Sequence, residues 1–387
     1  MKGKKLLAGV LAFACFFPAS LLVRAEGLTS DAKSAILMEV ETGKILYDTN
    51  MDVQLEPASM TKLMGMYLIF EAIDNGVMRW DEMHRVSEHA ASLGGSQVYL
   101  KPGEEMSIED LFKSVAIASA NDSITALGER VAGSEERFVE MMNAKARELG
   151  MLNTTFKNPT GLSADGHVTT AHDMAILARA ILLDFPGVIR YTSLYEDWIR
   201  NDSESPFWLV NTNKLLKANL GVDGLKTGFT QRAGYNLTAT AQRDGMRVVS
   251  VVMGASKSDI RNQEVATLIS HAFDTYELIR KVDPDVVVGT QYNMLARNRQ
   301  FEVVTMDSIS VLKSRLAGEE ETRHEVEIFD DLPLPIQPGD EVGRLTYFYN
   351  GEEYRTIGLT VAEPVEKNSF LGLFSFIVSQ LLFGEQR

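Results

Sequence analysis

Ser59 and Lys62 stand three residues apart in Pro57-Ala-Ser-Met-Thr-Lys62, a hydroxyl and an amine at the spacing of one helical turn. A neutral amine there can take the hydroxyl proton, and the activated oxygen can attack an amide carbonyl to form an acyl-serine. For that, the Lys62 pKa must fall from a reference of about 10.4, through burial and a nearby positive charge. The pair alone is weakly specific, because Ser-x-x-Lys recurs at Ser30/Lys33 and Ser310/Lys313. Two rarer motifs follow it in order, Ser119-Ala-Asn121 and Lys226-Thr-Gly228. They add a second hydroxyl beside an amide, and a second cation beside a glycine. Ser119 is suited to relay a proton to a leaving amine, and Asn121 to hold a substrate carbonyl. Lys226 supplies the charge that depresses Lys62, and with Thr227 it can meet a carboxylate. Gly228 lets an extended peptide approach a strand closely and pair with it.

The elements that must position these groups are legible in outline. Residues 35–47 read as a hairpin around Glu41-Thr-Gly-Lys44. After Pro57 a helical pattern carries Leu63, Met64, Tyr67, Leu68 and Phe70, placing Ser59 at a helix start whose free N–H groups favour an oxyanion. A second apolar helix over 108–118 ends at Ser119, and helices are expected at 134–149 and 171–183. Strands over 224–230, 236–243 and 246–253 follow, then a helix from Ser258 to about Ile279. Strands at both ends and helices between them predict an α+β body, one antiparallel sheet flanked by a helical cluster, over 28–280. Short Val/Ile/Thr/Tyr runs over 285–364, with Asn350-Gly351 as a hairpin signal, predict a small all-β domain.

The ends of the chain speak of location. Lys2, Lys4 and Lys5 precede an apolar stretch, and a cut after Ala25 makes residues 1–25 a signal peptide. Cys15 is the only cysteine and lies in that segment, so the mature chain would hold no disulfide and no thiolate metal site. Export without disulfides points to a bacterial envelope. Residues 368–387 form an amphipathic tail whose apolar part, 370–383, reaches about 21 Å as a helix, short of the ~30 Å needed to span. The expectation is a helix lying on the membrane surface at the periplasmic side of the inner membrane. With a formal net charge of −15 and no basic stripe, nucleic acid is excluded as a partner. His167 and His172-Asp173 read as loop polar residues rather than metal ligands, and no cofactor is implied.

The three motifs, Asp122, Gly94-Gly-Ser-Gln97, the stretch from Leu149 to Leu162 and Val222-Asp-Gly-Leu-Lys-Thr-Gly228 together resemble the penicillin-binding protein and serine β-lactamase superfamily. Within it the chain is most similar to the low-molecular-mass D-alanyl-D-alanine carboxypeptidases, from about Ala35 to the C-terminus. The resemblance implies acylation of Ser59 by the penultimate D-alanine of a peptidoglycan muropeptide, release of the terminal D-alanine, and hydrolysis. It also implies covalent binding of β-lactam antibiotics. It assigns the oxyanion hole to the N–H groups of Ser59 and Phe229, a contact to Thr230, and a hold on the substrate carboxylate to Arg261. Phe229 stands where some relatives have a histidine. A class A β-lactamase would need a deacylating glutamate in Glu-x-x-Leu-Asn; Glu148 to Asn153 has one residue too many. An endopeptidase of the same superfamily would share the site.

Overall fold

The computed structural model describes residues 27–383 apart from 202, 204 and 319. The expected signal peptide lies outside the described residues. Strands β1 (Ser34–Glu39) and β2 (Ile45–Thr49) form the expected hairpin. A 3₁₀ turn, Ala58–Thr61, feeds helix α1 (Lys62–Asp74). Next come β3 (Met83–Arg85), α2 (Glu88–Ala91), β4 (Glu105–Ser107), α3 (Ile108–Ala118), α4 (Asn121–Ala132), α5 (Glu135–Glu148), α6 (Ala171–Asp184) and α7 (Ile189–Thr192). A small hairpin, β5 (Glu196–Ile199) and β6 (Phe207–Val210), precedes β7 (Val222–Thr230), β8 (Gly234–Arg243) and β9 (Met246–Ala255). Helix α8 (Ser258–Thr275) closes this body.

The main sheet is antiparallel with order β2-β1-β9-β8-β7. Its two faces separate two apolar cores by simple alternation. Ile36, Val249, Val251 and Met253 point to the helical cluster of α1, α3, α4, α5 and α6. Ala35, Leu37, Leu237, Val248 and Val252 point to α8. The order makes β7, which carries the Lys-Thr-Gly motif, an edge strand.

Four expectations change. Ser59 sits in the 3₁₀ turn, three residues ahead of the first residue of the α-helix proper. The motif at 119–121 does not simply end a helix: Ser119 terminates α3 in the left-handed region (φ 64°), and Asn121 opens α4. Helix α4 escapes the pattern because its first eight residues, Asn121–Gly128, are all buried although they include Asn, Asp, Ser and Thr. The hairpins β3–β4 and β5–β6 also went unread. Finally, the helix expected to reach Ile279 stops at Thr275; Tyr276–Val282 is strand β10. It pairs with β13 (Ile309–Ser314), Leu278 opposite Leu312, so tertiary pairing overrides a segment of ambiguous period.

The C-terminal unit is all-β. Strands β11 (Val287–Tyr292), β12 (Gln300–Thr305), β14 (Thr322–Ile328), β15 (Gly343–Tyr349) and β16 (Glu352–Val361) form a sheet of order β11-β12-β16-β15-β14. Asn350 and Gly351 both take positive φ, 51° and 81°, as a two-residue hairpin with strand-matching twist requires. The Ser310/Lys313 repeat lies on β13, where residues three apart face opposite sides. Helix α9 (Phe370–Phe383) exposes Phe370, Leu371, Phe374, Ile377 and Leu382, while the Arg299 guanidinium lies 3.3 Å from the Phe376 ring centroid. Among the described residues no helix is long and apolar enough to cross a membrane.

Candidate active site

In a 3₁₀ turn residues three apart eclipse one another, which sets the Ser59 and Lys62 side chains side by side. Lys62 Nζ lies 3.1 Å from Ser59 Oγ, 2.6 Å from Asn121 Oδ1 and 2.6 Å from the Thr160 carbonyl oxygen. The amine is fully buried. Burial first, and the Lys226 charge second, hold its pKa well below the lysine range, with Asp122 pulling the other way. Lys226 is equally buried; desolvation and then Arg261 bring it down to about 7.

A neutral amine has two N–H groups and one lone pair. The carbonyl of Thr160 can only accept. Asn121 Nδ2 donates to the Gly94 carbonyl at 2.7 Å, so its Oδ1 is the atom facing Lys62, and it too can only accept. Both N–H groups are therefore spent, and the lone pair is left for the Ser59 hydroxyl to donate into. That is the geometry of a general base. The Asn121 amide thus serves the lysine through Oδ1 and the Gly94 loop through one Nδ2 hydrogen, and its second Nδ2 hydrogen is left for a substrate carbonyl.

Two glycines press backbone against the serine turn. A Cβ on Gly161 (φ +81°) would fall 1.9 Å from the Ala58 carbonyl oxygen and 2.9 Å from the Ser59 nitrogen. One on Gly228 would fall 2.6 Å from the Pro57 oxygen and 3.1 Å from the Ser59 nitrogen. The close approach at Gly228, expected for substrate, is made first by the chain's own 57–60 segment. Asn236, paired with Gly228 across the sheet, pins that segment by donating to the Glu56 and Pro57 carbonyls and accepting from Gly254 N–H.

The other predicted residues surround this centre. Ser119 Oγ is buried and has no hydrogen-bond partner among the described residues, a free hydroxyl of the kind a relay needs. Asp122 accepts from the N–H groups of Val98 and Leu100, fastening the loop that includes Gly94; burial raises its pKa against those bonds. Thr227 Oγ1 is 2.6 Å from Thr212 Oγ1, and Thr230 Oγ1 accepts from Ala233 N–H. Phe229 is half exposed and stacks on Tyr235. Arg261 is not a surface residue of α8: it is buried, its Nη1 reaches the Asn236 carbonyl at 3.4 Å, and burial lowers its pKa to about 10.

Sequence reading missed three supports. The Thr160 carbonyl is a backbone group and leaves no side-chain signal. Asn236 looked like an ordinary strand residue. His167 is neither a ligand nor a loose loop residue: its Nδ1 accepts from Lys157 N–H and its Nε2 lies 2.9 Å from Thr61 Oγ1, beneath the serine turn. Burial, then Lys157, hold it down to about 4, so it stays neutral there. Among the described residues no group of three or more His, Cys, Asp or Glu side chains could hold a metal.

Residues 22–257 match the D-alanyl-D-alanine carboxypeptidase family. The chain belongs to that family. Residues 273–367 match the C-terminal domain of penicillin-binding protein 5. The D-alanyl-D-alanine carboxypeptidase DacF of Bacillus subtilis is 43% identical over 90% of this chain and 89% of its own. Penicillin-binding protein 5 of Haemophilus influenzae superposes with a TM-score of 0.71 at 28% identity, covering 87% of this chain and 98% of that one. Penicillin-binding protein D2 of Listeria monocytogenes, solved in an ampicillin-bound form, gives 0.57 at 35% identity over 62% of this chain and 97% of that one. Serine D-alanyl-D-alanine carboxypeptidase chemistry on peptidoglycan, with β-lactam binding, is thus the activity of this fold and family.

Proposed function

We propose that Ser59 is the nucleophile that removes the terminal D-alanine from peptidoglycan stem pentapeptides. The observation that carries this is the Lys62 amine, 3.1 Å from Ser59 Oγ and 2.6 Å from two oxygens that can only accept, so that a neutral amine keeps its lone pair for the Ser59 hydroxyl. The substrate lies extended against the free edge of β7, its terminal carboxylate held by Lys226, Thr227 and Arg261. Ser59 Oγ bonds to the carbonyl carbon of the penultimate D-alanine as its proton passes to Lys62. The N–H groups of Ser59 and Phe229 take the oxyanion, with Thr230 beside them. The C–N bond then breaks, and the leaving amine receives a proton through the Ser119 hydroxyl. Water, deprotonated by the same lysine, releases the acyl group. A β-lactam follows the first half of this path, its ring amide opening while the acyl group stays on Ser59.

The second half should be slow for β-lactams. Glu148, the nearest match to a deacylating glutamate, is exposed on the far end of α5 and paired with Lys145 at 2.8 Å. Fast penicillin hydrolysis by the pure protein would contradict this reading. The wider setting belongs to the same proposal: export by residues 1–25, residence on the periplasmic face of the inner membrane, and α9 lying in the interface through Phe370, Leu371 and Phe374. A fluorescent penicillin should label the wild type and leave Ser59→Ala unlabelled. Mass spectrometry of a pentapeptide digest should show loss of one terminal D-alanine; cleavage at a cross-link instead would make the protein an endopeptidase.

The acid side of the pH profile follows from the two lysines. Protonated Lys62 cannot act as base, so acylation falls as pH drops through its lowered pKa. The Lys226 charge is the second cause of that lowering. In Lys226→Gln the cause is gone, and the acid limb should move to higher pH, read as penicilloylation rate against pH. An unmoved limb would show that Lys226 does not tune Lys62.

A further inference from the structure

Of the three tryptophans in the chain, Trp80 packs inside an aromatic cluster with Phe70, Phe112 and Tyr191. The other two do not. Trp198 and Trp208 face each other across the β5–β6 hairpin, with ring planes 27° apart and centroids separated by 6.2 Å. Alternation sends Ile199 and Leu209 inward, both fully buried, and leaves Glu196, Trp198, Trp208 and Val210 on the outer face. The indoles are 47% and 52% exposed, well beyond what packing the hairpin requires. Two neighbouring exposed indoles on a strand pair form a candidate docking face.

The chain leaving the hairpin is tied to the catalytic motifs. Two residues after β6, Thr212 bonds Thr227 of the Lys-Thr-Gly motif through its hydroxyl, and its N–H donates to the Ile117 carbonyl beside Ser119. From Thr212 back to Trp208 is four residues, a reach of at most ~14 Å along extended chain. In a stem pentapeptide the scissile bond follows the fourth residue, so the sugar that bears the peptide also lies about 14 Å away when the stem is extended. A stem that leaves the edge of β7 near Thr227 is therefore long enough to bring its sugar to the two indoles.

We infer that the Trp198–Trp208 face is a subsite for the amino-sugar backbone of the glycan strand. The inference rests on the carboxypeptidase reading of the cleft. Pyranose rings present flat C–H faces that stack on indole, and the Glu196 carboxylate on the same face can accept from sugar hydroxyl or acetamido N–H groups. Among the described residues, no Lys or Arg lies on this face of β5 and β6, which disfavours an anionic lipid surface as the occupant.

Two measurements separate this inference from the activity beneath it. Titration with an N-acetylglucosamine tetramer should shift the tryptophan emission of the wild type, and the shift should vanish in Trp198→Ala/Trp208→Ala. No shift in the wild type, or a shift that survives in the variant, overturns the subsite. In kinetics, kcat/KM for a disaccharide-linked pentapeptide should exceed that for the free pentapeptide, and the double variant should lose that preference by roughly tenfold. Its rate on the free pentapeptide and its penicillin labelling should be unchanged. An equal loss on both substrates, or a variant whose only change is lost self-association or vesicle binding, counts against the sugar. If neither peptide is cleaved, the carboxypeptidase reading fails while the fluorescence titration still decides the subsite. The single variants Trp198→Ala and Trp208→Ala serve should the double variant fail to take up penicillin.

Discussion

Replacing Lys62 by Met should slow acylation of Ser59 by roughly 10³- to 10⁴-fold, the upper part of what a positioned general base contributes. The side chain is close in volume and apolar, so the core is conserved while the lone pair beside Ser59 is gone. The stability of the variant has two opposing parts. Met leaves the Thr160 carbonyl and Asn121 Oδ1 without their donor, about 1–3 kcal/mol for each buried acceptor. It also removes a buried amine that carries a charge only at a cost. The two parts oppose each other at any one pH, and the pH dependence separates them. Lys62 is protonated in the unfolded chain up to the ordinary value of 10.5 and neutral when folded above its lowered pKa. Over that window the unfolded state binds one more proton, so wild-type stability rises with pH, by about 1.4 kcal/mol per unit for each such lysine. Lys226 adds the same sign between about 7 and 10.5. Urea titrations at stepped pH should show Lys62→Met losing one proton's share of that slope. An unchanged slope would mean that Lys62 is charged in the folded protein.

Gly161→Ala should be among the most damaging single methyl groups in the chain. The added Cβ would sit 1.9 Å from the Ala58 carbonyl oxygen, inside any van der Waals contact, and the backbone there holds φ at +81°. Only backbone movement relieves this, and the backbone that must move carries Ser59. A loss of about 3–5 kcal/mol is expected, with acylation slowed by roughly 10²-fold as the nucleophile shifts. Gly150→Ala is the internal control: its φ is +84°, yet nothing lies within 4 Å of the new methyl group. It should cost only the ~1–2 kcal/mol of left-handed backbone and leave acylation intact. Thermal melts and penicillin labelling of the two variants side by side test the claim. Equal losses would assign the effect to backbone conformation and not to the serine turn.

What could be read from sequence follows from how each part signals itself. Ser59, Lys62, Ser119 and Lys226 announce themselves by residue type and spacing, and the structure sets the Lys62 amine between Ser59 and Asn121 of the second motif, within the field of Lys226. The Asn350-Gly351 turn was legible because two consecutive positive φ values restrict the residues that fit. Groups that act through the backbone were not legible: the Thr160 oxygen lies 98 residues from the amine it holds. Burial of polar residues hid α4, since a helix surrounded by protein has no polar face to reveal its period. His167 was visible but was read as a loop residue, for nothing local shows that Thr61 stands above it. Strand β10 failed for the opposite reason, a local pattern that tolerated helix until β13 claimed it.

That last pairing reaches beyond the question of where a helix stops. Leu312 of β13 belongs to the same apolar cluster as Leu268, Ala272 and Phe273 of α8, and β10 runs on directly from that helix. Cutting the chain after 282 would strip β10 of its partner and leave a bare row of peptide N–H and C=O groups beside uncovered leucines, the kind of edge that recruits other chains. The small β unit is thus no detachable passenger. Through Leu312 it adds to the apolar layer behind the catalytic sheet, joined there by the β10–β13 pairing.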